Sequence, residues 1–181
     1  MPMAHKEQQE WFKAVTVVYP ERFENVNVLD VGSLDINGSC RKFFPGCSSY
    51  LGIDLEEGRG VDVVCMGQDF MAPDNTYDVV VSAECFEHNP FWKETFLNMH
   101  RLSCIGGFIL MTCATEGRRE HGTSRENPHD NTKVGVSWNY YKNLTEQDFE
   151  DSFPMKSMFS HYNFSTNKKA KDLYFFGFKQ G

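Results

Sequence analysis

Apolar residues fall into short unbroken runs in the middle of this chain and into helical spacing or alternation towards its ends. Residues 28–31 are apolar except for Asp30 and are broken by Gly32, and residues 50–53 form a second run closed by Asp54. Residues 61–66 give a third, residues 77–82, with three consecutive valines, a fourth, and residues 108–112 a fifth. Continuous runs of this length suit strands covered on both faces of a parallel sheet. Helical spacing appears at Trp11, Phe12, Val15 and Val18, within residues 4–18, and again at Phe91, Trp92, Leu97 and Leu102. The second of these helices has Asn89 as its cap, Pro90 at its first position and Gly106-Gly107 at its end. Asn37 and Gly38 introduce a short helical stretch through Phe44, with Asn37 as N-cap and Pro45-Gly46 as the stop.

Residues 115–136 are polar and without period, and a loop of that length in a compact domain is usually either functional or disordered. A short helix follows over 143–151, with Thr145 capping it and Asp148 in its first turn. Residues 158–164 and 173–179 then alternate as strands do, joined through 167–171. Strands separated by helices early and a hairpin late predict an α/β fold: a three-layer sandwich around a mostly parallel sheet with an antiparallel C-terminal hairpin strand. No repeat or linker interrupts the 181 residues, so they read as a single domain, with residues 1–24 packing on its core.

Composition narrows the function classes. The net charge of -7 argues against a nucleic-acid backbone as the main partner, because binding phosphates needs a basic surface. Six cysteines form no C-x-x-C pair and several sit inside apolar runs, so they read as small buried thiols of a reducing compartment, with no structural zinc. No apolar run reaches the length of a membrane span, and the first ten residues are polar rather than signal-like. The expected location is the cytoplasm, away from membranes.

The strand, glycine turn, short helix and second strand of residues 28–54 form the first half of a nucleotide-binding unit. Asp54, about twenty residues past the turn, can accept hydrogen bonds from both hydroxyls of a ribose. The fingerprint G-x-G-x-x-G of nicotinamide-dependent oxidoreductases is absent, since Leu34 and Asp35 follow Gly32-Ser33.

Taken in order, VLDVGSLDINGS, YLGIDL, GVDVV, QDF, YDVVVSAECFEH and GGFILMTCAT resemble the class I methyltransferases that use S-adenosylmethionine, in particular the methyltransferase type 11 group. REHGTSRENPHD with WNYYKNLTEQDF is similar to the region after the fifth strand in part of that group. The resemblance implies a seven-stranded sheet with the last strand antiparallel. It also implies S-adenosylmethionine lying over the carboxyl ends of the first four strands, with S-adenosylhomocysteine as the product. Asp30, Gly32 and Ser33 match the turn that holds the methionine part, and Leu34 and Asn37 continue that turn. Asp54 matches the ribose-binding acid and Leu55 the apolar neighbour under the adenine. Asp69 and Phe70 match the pair that takes the adenine amino group and covers the ring, with Gln68 beside them, and Ala83 matches the position nearest the methionine end. Leu34 and Ile36 depart from the usual pattern, because they stand where that turn generally has further glycines.

A sulfonium makes its methyl carbon electrophilic without a metal, so the protein mainly has to align a nucleophile, and a base is needed only if that nucleophile must lose a proton. Glu84, Glu87 and His88 after the fourth strand and His121 in the long loop are the candidates for that base. His121, His129 and Asp130 match no regular ligand spacing, so no metal is expected. Arg118, Arg119, Arg125 and Lys133 gather positive charge that could attract a carboxylate or phosphate of the substrate, and Trp138, Tyr140 and Tyr141 could line its pocket. The expected partner is a small or medium-sized acceptor, met between the N-terminal helix and residues 115–136. A site this open also suits a bulky acceptor, or one completed by a second subunit in a homodimer. The alternative function is a cofactor-binding or partner-binding module that does not turn over.

Overall fold

A computed structural model describes residues 6–36, 38–126 and 139–181. Seven strands form one sheet: β1 (Asn27–Val31), β2 (Ser49–Asp54), β3 (Val63–Val64), β4 (Tyr77–Ala83), β5 (Ser103–Ala114), β6 (Phe159–Asn167) and β7 (Asp172–Lys179). Their order is β3-β2-β1-β4-β5-β7-β6. β1 to β5 are parallel neighbours, whereas β7 runs antiparallel to both β5 and β6. The insertion of an antiparallel β7 between β5 and β6 separates this sheet from the dinucleotide-binding order 3-2-1-4-5-6.

Among the described residues the α-helices are α1 (Lys6–Val18), α2 (Trp92–Leu102), α3 (Glu146–Ser152) and α4 (Met155–Met158). The central strands β1, β4 and β5 divide their side chains between two cores. Val28, Val79, Val81, Phe108 and Leu110 meet Phe12 and Val15 of α1 on one face. Leu29, Val31, Val80, Ile109 and Met111 meet Trp92, Phe96, Met99 and Phe149 on the other. The chain is therefore a three-layer sandwich with the central valines of β4 fully buried, and the expected fold class stands.

Several boundaries and faces differ from the sequence reading. α1 buries Gln8, Phe12 and Val15, but Val18 is exposed beside Val17, because the last turn of the helix runs past the edge of the core. α2 turns Trp92, Phe96, Met99 and Leu102 inwards and leaves Phe91 and Leu97 largely in solvent. Asn89 still caps locally, since its Oδ1 accepts from the Phe91 N–H at 2.8 Å, but the helix starts at Trp92. Gly106-Gly107 lies inside β5, which begins directly after α2 and is irregularly registered against β4 there. The third run contributes only two residues to the sheet, both exposed at its edge. The helical stretch between β1 and β2 is a 3-10 turn, Cys40–Phe43, capped by Ser39 rather than by Asn37, which lies outside the described residues.

α3 is set by a reciprocal cap. The Thr145 side chain accepts from the Asp148 N–H, and the Asp148 carboxylate accepts from the Thr145 N–H at 2.9 Å. Thr145→Ala removes one half of that exchange, and urea unfolding should show a loss of about 1 kcal/mol. A loss below a few tenths would mean that tertiary packing of Phe149 alone places this helix. Among the described residues no helix is long and apolar enough to cross a membrane.

Candidate functional site at the carboxyl ends of the central strands

The carboxyl ends of β1, β2, β4 and β5 open on one side of the sheet, the place where ligands bind in open α/β folds. β1 ends in Gly32, whose φ of 81° turns the chain sharply. The Gly32 and Ser33 N–H groups both donate to the Ile53 carbonyl, at 2.9 and 3.0 Å, so the turn folds back onto the end of β2. It is then clasped by the loop after β2: Asp35 N–H donates to Arg59 O at 2.8 Å, and the Asp35 carboxylate pairs with the Arg59 guanidinium at 2.9 Å. Gly52 makes this approach possible, because a Cβ there would lie 2.6 Å from Ser33 Oγ and 2.2 Å from the Gly60 carbonyl.

Asp54 stands at the tip of β2, half-buried. Its Oδ2 accepts from Leu34 N–H at 3.1 Å and its Oδ1 from Glu56 N–H at 3.2 Å. Each oxygen keeps a second lone pair, so the carboxylate can hold two hydroxyls while it steadies the turn. Leu34 and Leu55 are half-buried beside it, and Ile36 is mostly exposed. Ser33 Oγ is buried without a hydrogen-bond partner in the protein. Such an atom in a turn next to an available acid fits an adenosyl ligand with an amino-acid tail. Gln68 is half-buried and Asp69 exposed, 3.4 Å apart through Gln68 Nε2, whereas Phe70 points into the α2-side core at 9% exposure.

Asp30 is buried on the opposite side of β1, where it accepts from Tyr50 OH at 2.6 Å. Burial pushes its carboxyl up to about 7 despite that hydrogen bond and the nearby Arg41.

The second half of the site grows from β4. Ala83 is followed by Glu84 in the left-handed conformation at φ 55°, an outlier for a residue with a long side chain. This bend sets Cys85 against Gly32 and begins a 3-10 turn, Phe86–His88. Glu84 Oε1 accepts from Thr112 Oγ1 at 3.0 Å and lies 3.4 Å from Gln8 Nε2, so α1 reaches the site through Gln8. Burial raises the Glu84 carboxyl well above the usual carboxylate range, and Glu87 and Asp172 add to it by repulsion. Glu87 is fully buried, and neither carboxylate oxygen has a partner at hydrogen-bonding geometry. Burial also raises this group, although the N–H groups of Glu87 itself and of Ala114 offset part of the cost.

The long loop returns to this point. The His88 and His121 rings lie 5.0 Å apart between centroids, and Tyr141 packs edge-on against both, at 5.4 and 5.0 Å. Lys142 N–H donates to the Glu87 carbonyl and Leu144 N–H to the Ala114 carbonyl, which ties residues 142–144 beside the end of β5. Burial, reinforced by Arg118, pushes His88 down to about 4, and burial lowers His121 as well, so both rings are neutral at pH 7.

Among the described residues each arginine of the loop has an acidic partner. Arg118 is ion-paired at 2.7 Å with the fully buried Asp172, Arg119 pairs with Glu126, and Arg125 pairs with Glu120 at 2.8 Å. Tyr140 is half-buried. Lys133, His129, Asp130 and Trp138 lie outside the described residues. Asp172 and Gln8 escaped the sequence reading. A lone acid opening the apolar run of β7 was the available signal for Asp172, since a buried carboxylate needs a partner.

No protein-family model and no curated protein matches the chain. Its fold is shared with solved methyltransferase structures at low identity. The 1,6-didemethyltoxoflavin-N1-methyltransferase of Burkholderia thailandensis, solved with its substrate and S-adenosylhomocysteine, superposes with a TM-score of 0.64 at 15% identity, covering 93% of this chain and 77% of that one. The N-methyltransferase NodS of Bradyrhizobium japonicum gives 0.62 at 12% identity, over 99% and 100% of the two chains. A phosphoethanolamine N-methyltransferase of Haemonchus contortus, also holding S-adenosylhomocysteine, gives 0.63 at 16% identity, over 93% of this chain and 53% of that one. At these identities the likeness defines the class of fold: the Rossmann-like sandwich of the class I methyltransferases.

Proposed function

We propose that this chain is an S-adenosylmethionine-dependent methyltransferase, of the type 11 kind, acting on a small or medium-sized acceptor. The observation that carries the reading is the meeting, at the carboxyl edge of a sheet in methyltransferase order, of the pinned Gly32 turn, the available Asp54 carboxylate and the Glu87–His88–His121 cluster. Two relatives of the same fold hold S-adenosylhomocysteine, which supports the choice of cofactor. Gly32, Ser33 and Leu34 would meet the methionine part, Asp54 the ribose, and Leu55, Gln68, Asp69 and the edge of Phe70 the adenine. When bound, the cofactor supplies an electrophilic methyl carbon whose bond to sulfur breaks as the acceptor's lone pair forms the new bond.

The protein's part is to bring the acceptor to Ala83 and to keep water out. Glu84, raised by burial and held by Thr112, lies nearest the strand. His88 and His121 offer neutral imidazole nitrogens, and Tyr140, Tyr141, Arg118 and Arg119 form the rim. A cytoplasmic location fits this reading.

Thermal unfolding with S-adenosylhomocysteine against NAD tests it. A ligand at a hundred times its dissociation constant adds about 2.7 kcal/mol, several degrees for a chain of this size. Asp54→Ala should remove the S-adenosylhomocysteine shift. A shift with NAD alone would sink the reading, and an unchanged shift in Asp54→Ala would refute the ribose assignment. Binding without S-adenosylhomocysteine formation across an acceptor panel would favour a non-catalytic module instead.

A further inference from the structure

Glu87, His88 and His121 each present one donor atom, and these atoms lie within 4.8 Å of one another. Adjacent residues of the 3-10 turn after β4 supply two donors, and the loop beyond β5 supplies the third. From this geometry we infer that the three side chains form a binding site for a first-row divalent transition metal, zinc being the reference ion.

The donor chemistry fits. Two imidazoles and a carboxylate are the ligand set of Zn2+, Fe2+, Co2+ and Mn2+ sites that keep further positions open. Donors about 2.1 Å from a tetrahedral ion stand roughly 3.4 Å apart. Rotation of His88 and His121, both half-exposed, closes the remaining gap.

The second observation is Glu87 itself. It is fully buried, with both oxygens lacking a partner at hydrogen-bonding geometry, and it lies among the donors of this cluster. A charge in that position is costly unless it is paired or coordinates a metal. Glu84 and Asp172 are further carboxyl groups close to the cluster, and Arg118, which would oppose a cation, is engaged by Asp172.

His121 is also oriented as a ligand. Its Nδ1 lies 3.1 Å from the Arg119 carbonyl, and in the tautomer that donates there Nε2 keeps its lone pair for the ion. Gly122 sits against His88, where a Cβ would come within 2.9 Å of Cε1, so the loop that brings His121 also presses on the neighbouring ligand.

An ion held by three protein ligands has open positions towards the mouth, where a hydroxyl, amine or carboxylate of the acceptor could bind. That use of the ion rests on the methyl-transfer reading, whereas the binding of the ion does not.

The experiment uses tag-free protein, stripped with chelator and dialysed, then titrated with Zn2+ by calorimetry and with Co2+ by visible absorption. The expected result is one ion per chain, a Co2+ spectrum of low coordination number, and at least tenfold weaker binding in His121→Ala and in Glu87→Gln. His121 lies on a surface loop, so His121→Ala should keep the wild-type circular dichroism and remain informative if Glu87→Gln fails to fold. Absence of stoichiometric binding, or binding unchanged in folded His121→Ala, would overturn the site. The S-adenosylhomocysteine shift is read on the same samples. A normal shift without ion binding defeats this inference alone, and ion binding without a shift defeats the cofactor reading alone.

Discussion

Replacing Gly32 with alanine should cost about 3 kcal/mol of stability and remove S-adenosylhomocysteine binding together with it. Two independent terms add at this residue. Its φ of 81° lies in the region where an L side chain costs roughly 1–2 kcal/mol. A Cβ built there would also stand 2.6 Å from Cys85 Cβ and 2.7 Å from Cys85 Sγ, and overpacking of this kind costs about 1–3 kcal/mol. Relief cannot come from a flexible side-chain tip, because the nearer atom is the β-carbon of Cys85. The backbone after β4 would have to retreat, and with it the strained Glu84 bend and the turn carrying Glu87 and His88. One methyl group thus moves the Gly32 turn away from the turn that carries Glu87 and His88. Urea unfolding of the single variants and of Gly32→Ala/Cys85→Gly separates the terms. The double variant should recover the steric part and leave the cost of φ, giving a coupling of about 1–2 kcal/mol. An unfolding midpoint for Gly32→Ala equal to that of the wild type would refute the close approach.

The same residues show what a sequence can and cannot convey about this site. The runs around Leu51, Leu29 and Val80 are legible because strands covered on both faces must be apolar throughout, and these three residues lie side by side in β2, β1 and β4, respectively. The antiparallel hairpin was legible from the alternation of β6 and from the turn before β7. The inward face of α2 was legible only in part: Trp92 and Leu102 are buried as expected, whereas Phe91 and Leu97 are not. Phe91 and Leu97 are as apolar as Phe96 and Met99, and only packing against Phe149 and Phe153 decides which pair is buried. β3 was overextended for the opposite reason, since an exposed edge needs few ladder bonds and its apolar residues are not in the core. Gly106-Gly107 read as a helix stop, although β5 had already begun at Ser103, paired with Tyr77.

For the site, local features were legible and distant ones were not. The Gly32 turn and Asp54 are close in sequence and carry their geometry in residue type. The meeting of His88 with His121 depends on a loop pinned by Asn143 Nδ2 to Arg118 O and by Arg118 to Asp172, contacts between segments with no shared pattern. Spacing within the loop therefore gave no sign of the Glu87–His88–His121 cluster, which only the fold assembles. The apparent basic loop dissolved for a related reason: Glu120, Glu126 and Asp172 neutralise the arginines that composition had counted as free.

Asp30→Asn should stabilise the protein at pH 8 by up to about 4 kcal/mol and leave it nearly unchanged at pH 4. Asp30 is 3% exposed on the α1 side of β1, where Tyr50 donates to it at 2.6 Å and Arg41 stacks on the Tyr50 ring at 4.4 Å, while Cys40, Asp54 and Asp62 couple electrostatically to the pocket. Burial lifts its carboxyl from 3.8 to about 7, against the lowering effects of Tyr50 and Arg41. Between those values the folded protein holds a proton that the unfolded chain has released. Stability therefore falls as pH rises through this window, by about 1.4 kcal/mol per pH unit, and the loss is complete above the folded value. Asparagine keeps the acceptor for Tyr50 OH and removes the ionisation. Asp172, pushed up to about 6 by burial, gives the wild type a further loss of the same sign, whereas His88, pushed down to about 4, costs stability as the medium becomes acidic. Both contributions remain in the variant, so the difference between variant and wild type isolates Asp30. Urea unfolding at half-unit intervals should show two curves that coincide at low pH and diverge towards neutrality, with the variant above. Parallel curves, or a variant that is less stable at pH 8, would show that Asp30 is ionised in the folded protein and that Arg41 and Tyr50 suffice to hold its charge.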